Sequence, residues 1–286
     1  LLRSCIFNSN FGEITSSYII NFDVCCRFSV SSCVQWPSPF ALCKTLGYFF
    51  APLEEKNAMP TTLILTAADG HTFSAYKAEP EGQPLGAVVV VQEVFGVNAH
   101  IRDLVERWAA VGYTAIAPAL YDRWAPSFEV GYEPADIDKG RALKATANEN
   151  LEKVISDVEA ARAAVADAGR VGVVGYCWGG FVTYVAACRL NVQAASGYYG
   201  GGINEVVDET PKCPTILHFG DSDGSIPMDQ VELVRVKHPD IGVYVYEAGH
   251  GFHCDMRGSF DPRAAAIAGM RTTQLFETVI RRGEKV

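Results

Sequence analysis

Arg170-Val171-Gly172-Val173-Val174-Gly175-Tyr176-Cys177-Trp178-Gly179-Gly180 carries an apolar, β-branched run directly into a glycine-flanked turn with a cysteine at its centre. The run has the composition of a buried strand. A turn of the form G-x-C-x-G-G lets that strand reverse sharply into a helix, because glycine permits the close backbone approach that such a corner needs. The central side chain is then left strained and presented above the sheet, which is where an enzyme places a nucleophile. The helix expected over residues 178–189 directs its first N–H groups at the sulfur and favours the thiolate. An isolated cysteine after a strand is more often a small apolar filler. The flanking glycines, the strand and the helix together argue for chemistry at Cys177.

Outward from this corner the chain alternates strands with helices. Residues 63–66 and 72–77 flank Asp69-Gly70 and should form a hairpin. Ala87-Val88-Val89-Val90-Val91 is a continuous β-branched run suited to a central parallel strand, and it delivers Gln92-Glu93-Val94-Phe95-Gly96 at its end. A helix over residues 100–111 places Ile101, Leu104, Val105 and Trp108 on one stripe. Further strands are expected at residues 113–117, 194–198, 214–219 and 243–247, with helices at 136–168, 228–237 and 262–281. The aromatic, proline-containing segment 120–134 reads as a loop over a pocket. This alternation predicts an α/β fold with a mostly parallel central sheet, helices on both faces and ligands at the carboxyl ends of the strands.

Length and composition set outer limits. A chain of 286 residues with 49% hydrophobic content can bury one substantial core. A formal net charge of −9 argues against a nucleic-acid partner, which normally requires a basic footprint. The cysteines divide the chain. Cys5, Cys25, Cys26, Cys33 and Cys43 precede Met59, whereas Cys177, Cys188, Cys213 and Cys254 follow it. Residues 1–58 show no helix or strand period, and their apolar stretches are too short and too polar for a membrane span or a tidy signal peptide. They read as an atypical N-terminal extension, disordered or not native, with a targeting peptide or a small disulfide module as the alternatives. Met59 reads as the natural start of a single catalytic domain over residues 59–286. A cytoplasmic, monomeric protein with reduced thiols and no membrane partner is the expectation.

Three polar residues follow three strands in the order Cys177, Asp223, His250. A thiol needs a base, and the base needs a carboxylate to fix its tautomer. Asp221 competes with Asp223 as a turn residue, and His253 competes with His250 as the base. Glu93, at the end of the valine strand, is placed to accept the thiol proton, with a solvated strand-end charge as the plainer alternative. The backbone N–H groups of Trp178 and Val94 are the expected oxyanion donors. His250, His253, Cys254 and Asp255 also form a sequence cluster of metal-ligand types, but no second cluster completes a set, so no metal is expected. Gly200-Gly201-Gly202 lacks the Lys-Ser/Thr of a phosphate cradle and reads as a loop.

Gln92-Glu93-Val94-Phe95-Gly96-Val97-Asn98, Pro118-Ala119-Leu120-Tyr121, the cysteine elbow, Gly197-Tyr198-Tyr199-Gly200, Gly220-x-x-Asp223-x-x-Ile226-Pro227 and Gly249-His250-x-Phe252 together resemble the dienelactone hydrolase family, the carboxymethylenebutenolidases, of the α/β-hydrolase fold. The resemblance spans nearly all of the chain after Met59. It implies opening of an unsaturated lactone, dienelactone, to maleylacetate in the breakdown of chlorinated aromatics. It further implies a triad of Cys177, Asp223 and His250, with Glu93 as the switch that activates the thiol and with no cofactor. The family uses arginines for the substrate carboxylate. Here His253-Cys254 occupies the stretch where one of them is expected, and Arg257 lies slightly farther along. Arg141 stands near the other position, and Tyr199 is a candidate pocket hydroxyl. The remaining alternatives are a broader carboxylesterase or thioesterase, and a non-catalytic member using Cys177 as a redox sensor or the pocket for binding.

Overall fold

A computed structural model describes residues 59–286. The expectations for residues 1–58 lie outside the described residues. The elements are β1 (Met59–Thr66), β2 (Thr72–Glu79), β3 (Ala87–Val91), α1 (Ala99–Ala110), β4 (Thr114–Pro118), α2 (Pro134–Glu149), α3 (Leu151–Ala163), β5 (Val171–Tyr176), α4 (Trp178–Arg189), β6 (Ala194–Tyr198), β7 (Thr215–Gly220), α5 (Met228–Lys237), β8 (Gly242–Tyr246) and α6 (Pro262–Phe276). They build one 8-stranded sheet in the order β1-β2-β4-β3-β5-β6-β7-β8. The β1–β2 and β2–β4 pairings are antiparallel and the rest are parallel. This is the α/β-hydrolase architecture.

Every residue of β3, β4, β5, β6 and β7 is buried, so both faces of the central sheet are covered. That explains why their residues are mostly apolar or small, since a strand with no solvent face has no reason to alternate. Flanking helices supply the cover. In α1, Ile101, Leu104, Val105 and Trp108 are all buried, as the stripe predicts, and His100 is buried with them.

One expected element is corrected. Residues 136–168 do not form a single helix, because Asn150, at φ −121° and ψ 35°, separates α2 from α3. Its side-chain amide donates to the Thr146 carbonyl at 2.9 Å, the local competition for backbone groups that makes asparagine poor inside a helix. The break matters to the site because Asn148, in the last turn of α2, accepts a 2.8 Å hydrogen bond from the indole of Trp178. The closing helix likewise ends at Phe276 and continues as a π turn, Glu277–Arg281.

Segment 120–134 is well anchored for a loop. Asp122 accepts from the Ser74 N–H at 2.9 Å and the Ser127 N–H at 2.9 Å. Glu129 bridges to Gly96 in a local antiparallel pair. Gly96 sits at φ +81°, and a side chain there would collide with the Phe128 carbonyl. The loop is therefore fastened to the turn that follows Glu93.

Candidate active site

The corner at Cys177 is built by exclusion of side chains. Cβ atoms at Gly175 and Gly179 would run into the Gly179 carbonyl and the Val91 carbonyl respectively, and one at Gly180 would stand 2.5 Å from the Tyr198 carbonyl. Only glycine lets α4 start against the ends of β3 and β6. Cys177 itself adopts φ 56° and ψ −118°, a backbone conformation that a non-glycine residue holds at a cost of roughly 1–3 kcal/mol. The surrounding packing holds it there. β3 pairs with β5 with Val91 opposite Gly175, so Glu93 emerges level with Cys177 on the neighbouring strand.

His250 joins the other two groups. Its Nε2 lies 3.1 Å from Cys177 Sγ, and its Nδ1 lies 2.7 Å from Asp223 Oδ2. Asp223 is buried, and its other oxygen accepts the Ser225 N–H at 2.8 Å, which fixes the carboxylate plane. Burial alone would lower the His250 pKa, but the charge of the Cys177 sulfur and the Asp223 bond outweigh it and push the imidazole up to about 10. The arrangement therefore favours an imidazolium beside the sulfur. Asp221, by contrast, is exposed and engages Ser222. His253 packs tilted against Tyr176 and edge-on to Tyr198, and burial followed by repulsion from His100 and Arg107 lowers its pKa to about 3.

The backbone N–H groups of Trp178 and Val94 make no hydrogen bond to another backbone group of the described residues. Trp178 is stacked on Tyr121 with ring centroids 4.9 Å apart, and it is held from the other side by Asn148. The N–H at the head of α4 is thus fixed in place.

Glu93 is fully buried, and neither carboxylate oxygen has a hydrogen-bond partner. Its nearest cation is Arg257, with Nη1 3.8 Å from Oε1. The guanidinium also lies over the rings of Phe95 and Tyr132, at 5.6 and 5.7 Å from their centroids. Sequence reasoning missed this approach, since Glu93 and Arg257 come from opposite ends of the domain. Arg141 does not reach the site. Its side chain is 68% exposed and its ion-pair partner is Asp138, on the outer face of α2. Tyr199 is buried at φ 38°, its hydroxyl has no hydrogen-bond partner, and its ring lies 5.1 Å from that of His250. Burial, followed by the charges of Glu93, Cys254, Tyr176 and Cys177, drives its phenol pKa well up. It is a neutral phenol facing the charged groups of the site.

His100 was also missed. Its Nδ1 lies 3.5 Å from Asp255 Oδ1, and Asp255 is held in turn by Arg107 at 2.7 Å. Burial opposes the charge on His100, but Asp255 and Cys254 push its pKa up to about 10. The available signal was a histidine at the head of the buried α1 stripe, four residues before Leu104.

Comparison with known proteins adds the family. The family model described as "Dienelactone hydrolase family" matches residues 73–280. This chain belongs to the dienelactone hydrolase family. A Synechocystis sp. protein carrying the provisional name carboxymethylenebutenolidase is 38% identical over 243 residues, covering 77% of this chain and 98% of that protein. The carboxymethylenebutenolidase of Pseudomonas putida is 35% identical over 220 residues, covering 73% and 92%. A Klebsiella pneumoniae crystal structure with a provisional dienelactone hydrolase title superposes with a TM-score of 0.63 at 29% identity, covering 76% of this chain and 98% of that one. Membership makes the chain a hydrolase. No helix of the described residues is long and apolar enough to cross a membrane.

Proposed function

We propose that this family member hydrolyses an unsaturated lactone of the dienelactone type through a thioester on Cys177. The observation that carries the reading is the unbroken array of Sγ, imidazole and carboxylate at 3.1 and 2.7 Å. Sulfur attacks the lactone carbonyl, and the negative oxygen that forms is received by the N–H groups of Trp178 and Val94. The ring C–O bond then breaks, leaving an enolate joined to a thioester. The enolate helps to draw a proton from water, the resulting hydroxide attacks the thioester, and the sulfur leaves as the thiolate it was at the start.

Glu93 and Arg257 give this scheme a trigger. In the free enzyme the guanidinium neutralises the buried carboxylate from 3.8 Å. A substrate carboxylate offers Arg257 a better, bidentate partner. Among the described residues Glu93 then keeps only the imidazole of His100, within 4.8 Å, to offset its charge, and gains by taking the proton from whatever fraction of Cys177 is still thiol. A second reading, a broader carboxylesterase or thioesterase, is favoured by Arg141 pointing away from the site, because a lone arginine selects less strongly for an anionic lactone.

Parallel assays of the full chain and its Cys177→Ala variant on dienelactone, p-nitrophenyl acetate and an acyl-thioester separate these readings. Preference for the lactone, lost with the sulfur, is expected. Hydrolysis that survives Cys177→Ala refutes the assignment, and preference for neutral esters supports the broader reading.

A further inference from the structure

Glu93, His100 and Cys254 reach one point from separate segments: the end of β3, the first turn of α1 and the loop after β8. One carboxylate oxygen, one ring nitrogen and the sulfur all lie within 4.8 Å of one another, and among the described residues this is the one group of metal-ligating side chains so arranged. All three residues are buried, Glu93 at 0%, His100 at 2% and Cys254 at 0% exposure. Both oxygens of Glu93 and Nε2 of His100 lack a hydrogen-bond partner, while His100 Nδ1 faces Asp255 at 3.5 Å. Each such buried atom left unsatisfied costs about 1–3 kcal/mol, so the centre they share is suited to a guest.

The chemistry of that guest follows from the donors. A thiolate, an imidazole and a carboxylate together suit a borderline-soft divalent ion such as zinc or cobalt and are poorly suited to magnesium or calcium. Tetrahedral bonds of roughly 2.0–2.3 Å place donor atoms about 3.3–3.8 Å apart, so the present spread closes by about 1 Å on binding. Asp255, 3.5 Å from His100 Nδ1, stands where a carboxylate orients a metal-bound histidine. Tyr132, whose hydroxyl lies 3.4 Å from Cys254 Sγ and accepts from Asn98 Nδ2 at 3.1 Å, holds the sulfur's side of the centre.

We propose that Glu93, His100 and Cys254 form a site for a zinc-type divalent ion, and that filling it arrests hydrolysis. The ion accepts a lone pair from each of the three side chains, with water in the fourth position. Any proton displaced from the sulfur or the ring passes to solvent, and nothing is oxidised or reduced. The arrest rests on the role proposed above for Glu93, since a carboxylate bound to metal no longer takes a proton from Cys177. The binding itself does not depend on that role.

The test uses full-length Cys177→Ala protein, in which the reactive thiol cannot hold the ion, titrated with cobalt(II). A thiolate-to-cobalt charge-transfer band with tetrahedral visible bands is expected, absent in the added Cys254→Ser variant. Asp255→Asn should weaken the site roughly 10–100-fold. If Cys254→Ser fails to fold by circular dichroism, His100→Gln provides the same reading through loss of affinity. No thiolate band, or one that both variants leave unchanged, overturns the site. In the native protein, zinc should abolish hydrolysis of the carboxylate-bearing dienelactone, the substrate that calls on Glu93, and a chelator should restore it. Inhibition equally strong in Cys254→Ser places the ion on Cys177 and overturns the arrest at this site. Cobalt bound as expected with no zinc inhibition keeps the site and refutes Glu93 as the proton acceptor.

Discussion

Removing the sulfur of Cys177 should change how His250 titrates. The imidazole stands at about 10, and the sulfur is the largest of the influences that raise it. Two unit charges 3.1 Å apart interact by about 5 kcal/mol at an effective dielectric constant near 20, equivalent to about 4 pH units. The His250 side chain is 22% exposed, so water at the mouth of the site screens part of this. In Cys177→Ala, burial and the Asp223 bond remain and oppose each other. A fall in the midpoint of roughly 2–4 pH units is expected. The assay is an NMR titration of the imidazole Cε1 resonance, assigned by comparison with His250→Gln. A raised folded pKa also sets the sign of the linkage. The pair's contribution to stability is present below the unfolded histidine value near 6.5 and is lost as pH rises through about 10. Urea midpoints should therefore decline between those limits in the native protein and stay flatter in Cys177→Ala. A His250 midpoint that moves by less than about half a pH unit refutes the reasoning, because a neutral thiol rather than a thiolate would then face the ring.

Gly179→Ala should damage fold and activity together. The new Cβ would stand 2.5 Å from the Gln92 carbonyl, about 1 Å inside ordinary contact, so α4 must shift from β3. A stability loss of about 1–3 kcal/mol and a fall of about 10²-fold in kcat/KM are expected from urea melts and steady-state kinetics. Gly224→Ala, with nothing within 4 Å of its Cβ, is the control. Arg257→Gln should raise KM for a carboxylate-bearing lactone by about 10–100-fold, the worth of one charged hydrogen bond, while p-nitrophenyl acetate hydrolysis is not lowered, because Glu93 no longer has the guanidinium 3.8 Å away to neutralise it. Equal effects on both substrates would show that Arg257 serves the scaffold and does not read the anion.

The fold and the elbow were legible because their determinants are local. A β-branched strand, a glycine corner and an amphipathic helix are each set within a dozen residues, and alternation of such units dictates a parallel sheet. Cys177, Asp223 and His250 were legible as a set because each follows a strand, and parallel strands deliver their ends to one edge. The break at Asn150 was not, since asparagine leaves a helix only when its amide finds a better acceptor, here Thr146. Arg257 and His100 were hidden for a different reason. Their partners, Glu93 and Asp255, are more than 150 residues away in the chain, and nothing in local spacing reports which buried charge a distant loop will meet. Arg141 illustrates the converse: a position near the expected one, on a helix face that turns the guanidinium toward solvent.

The central claim is that Cys177 carries the acyl group. Rapid acid quenching of the full-length enzyme during turnover of a slowly deacylated ester, followed by proteolysis and mass spectrometry, tests it directly. The account predicts a mass increase equal to the acyl group on the peptide containing Cys177, absent from Cys177→Ala. An acyl group found on another residue, or continued turnover with the sulfur removed, would contradict it.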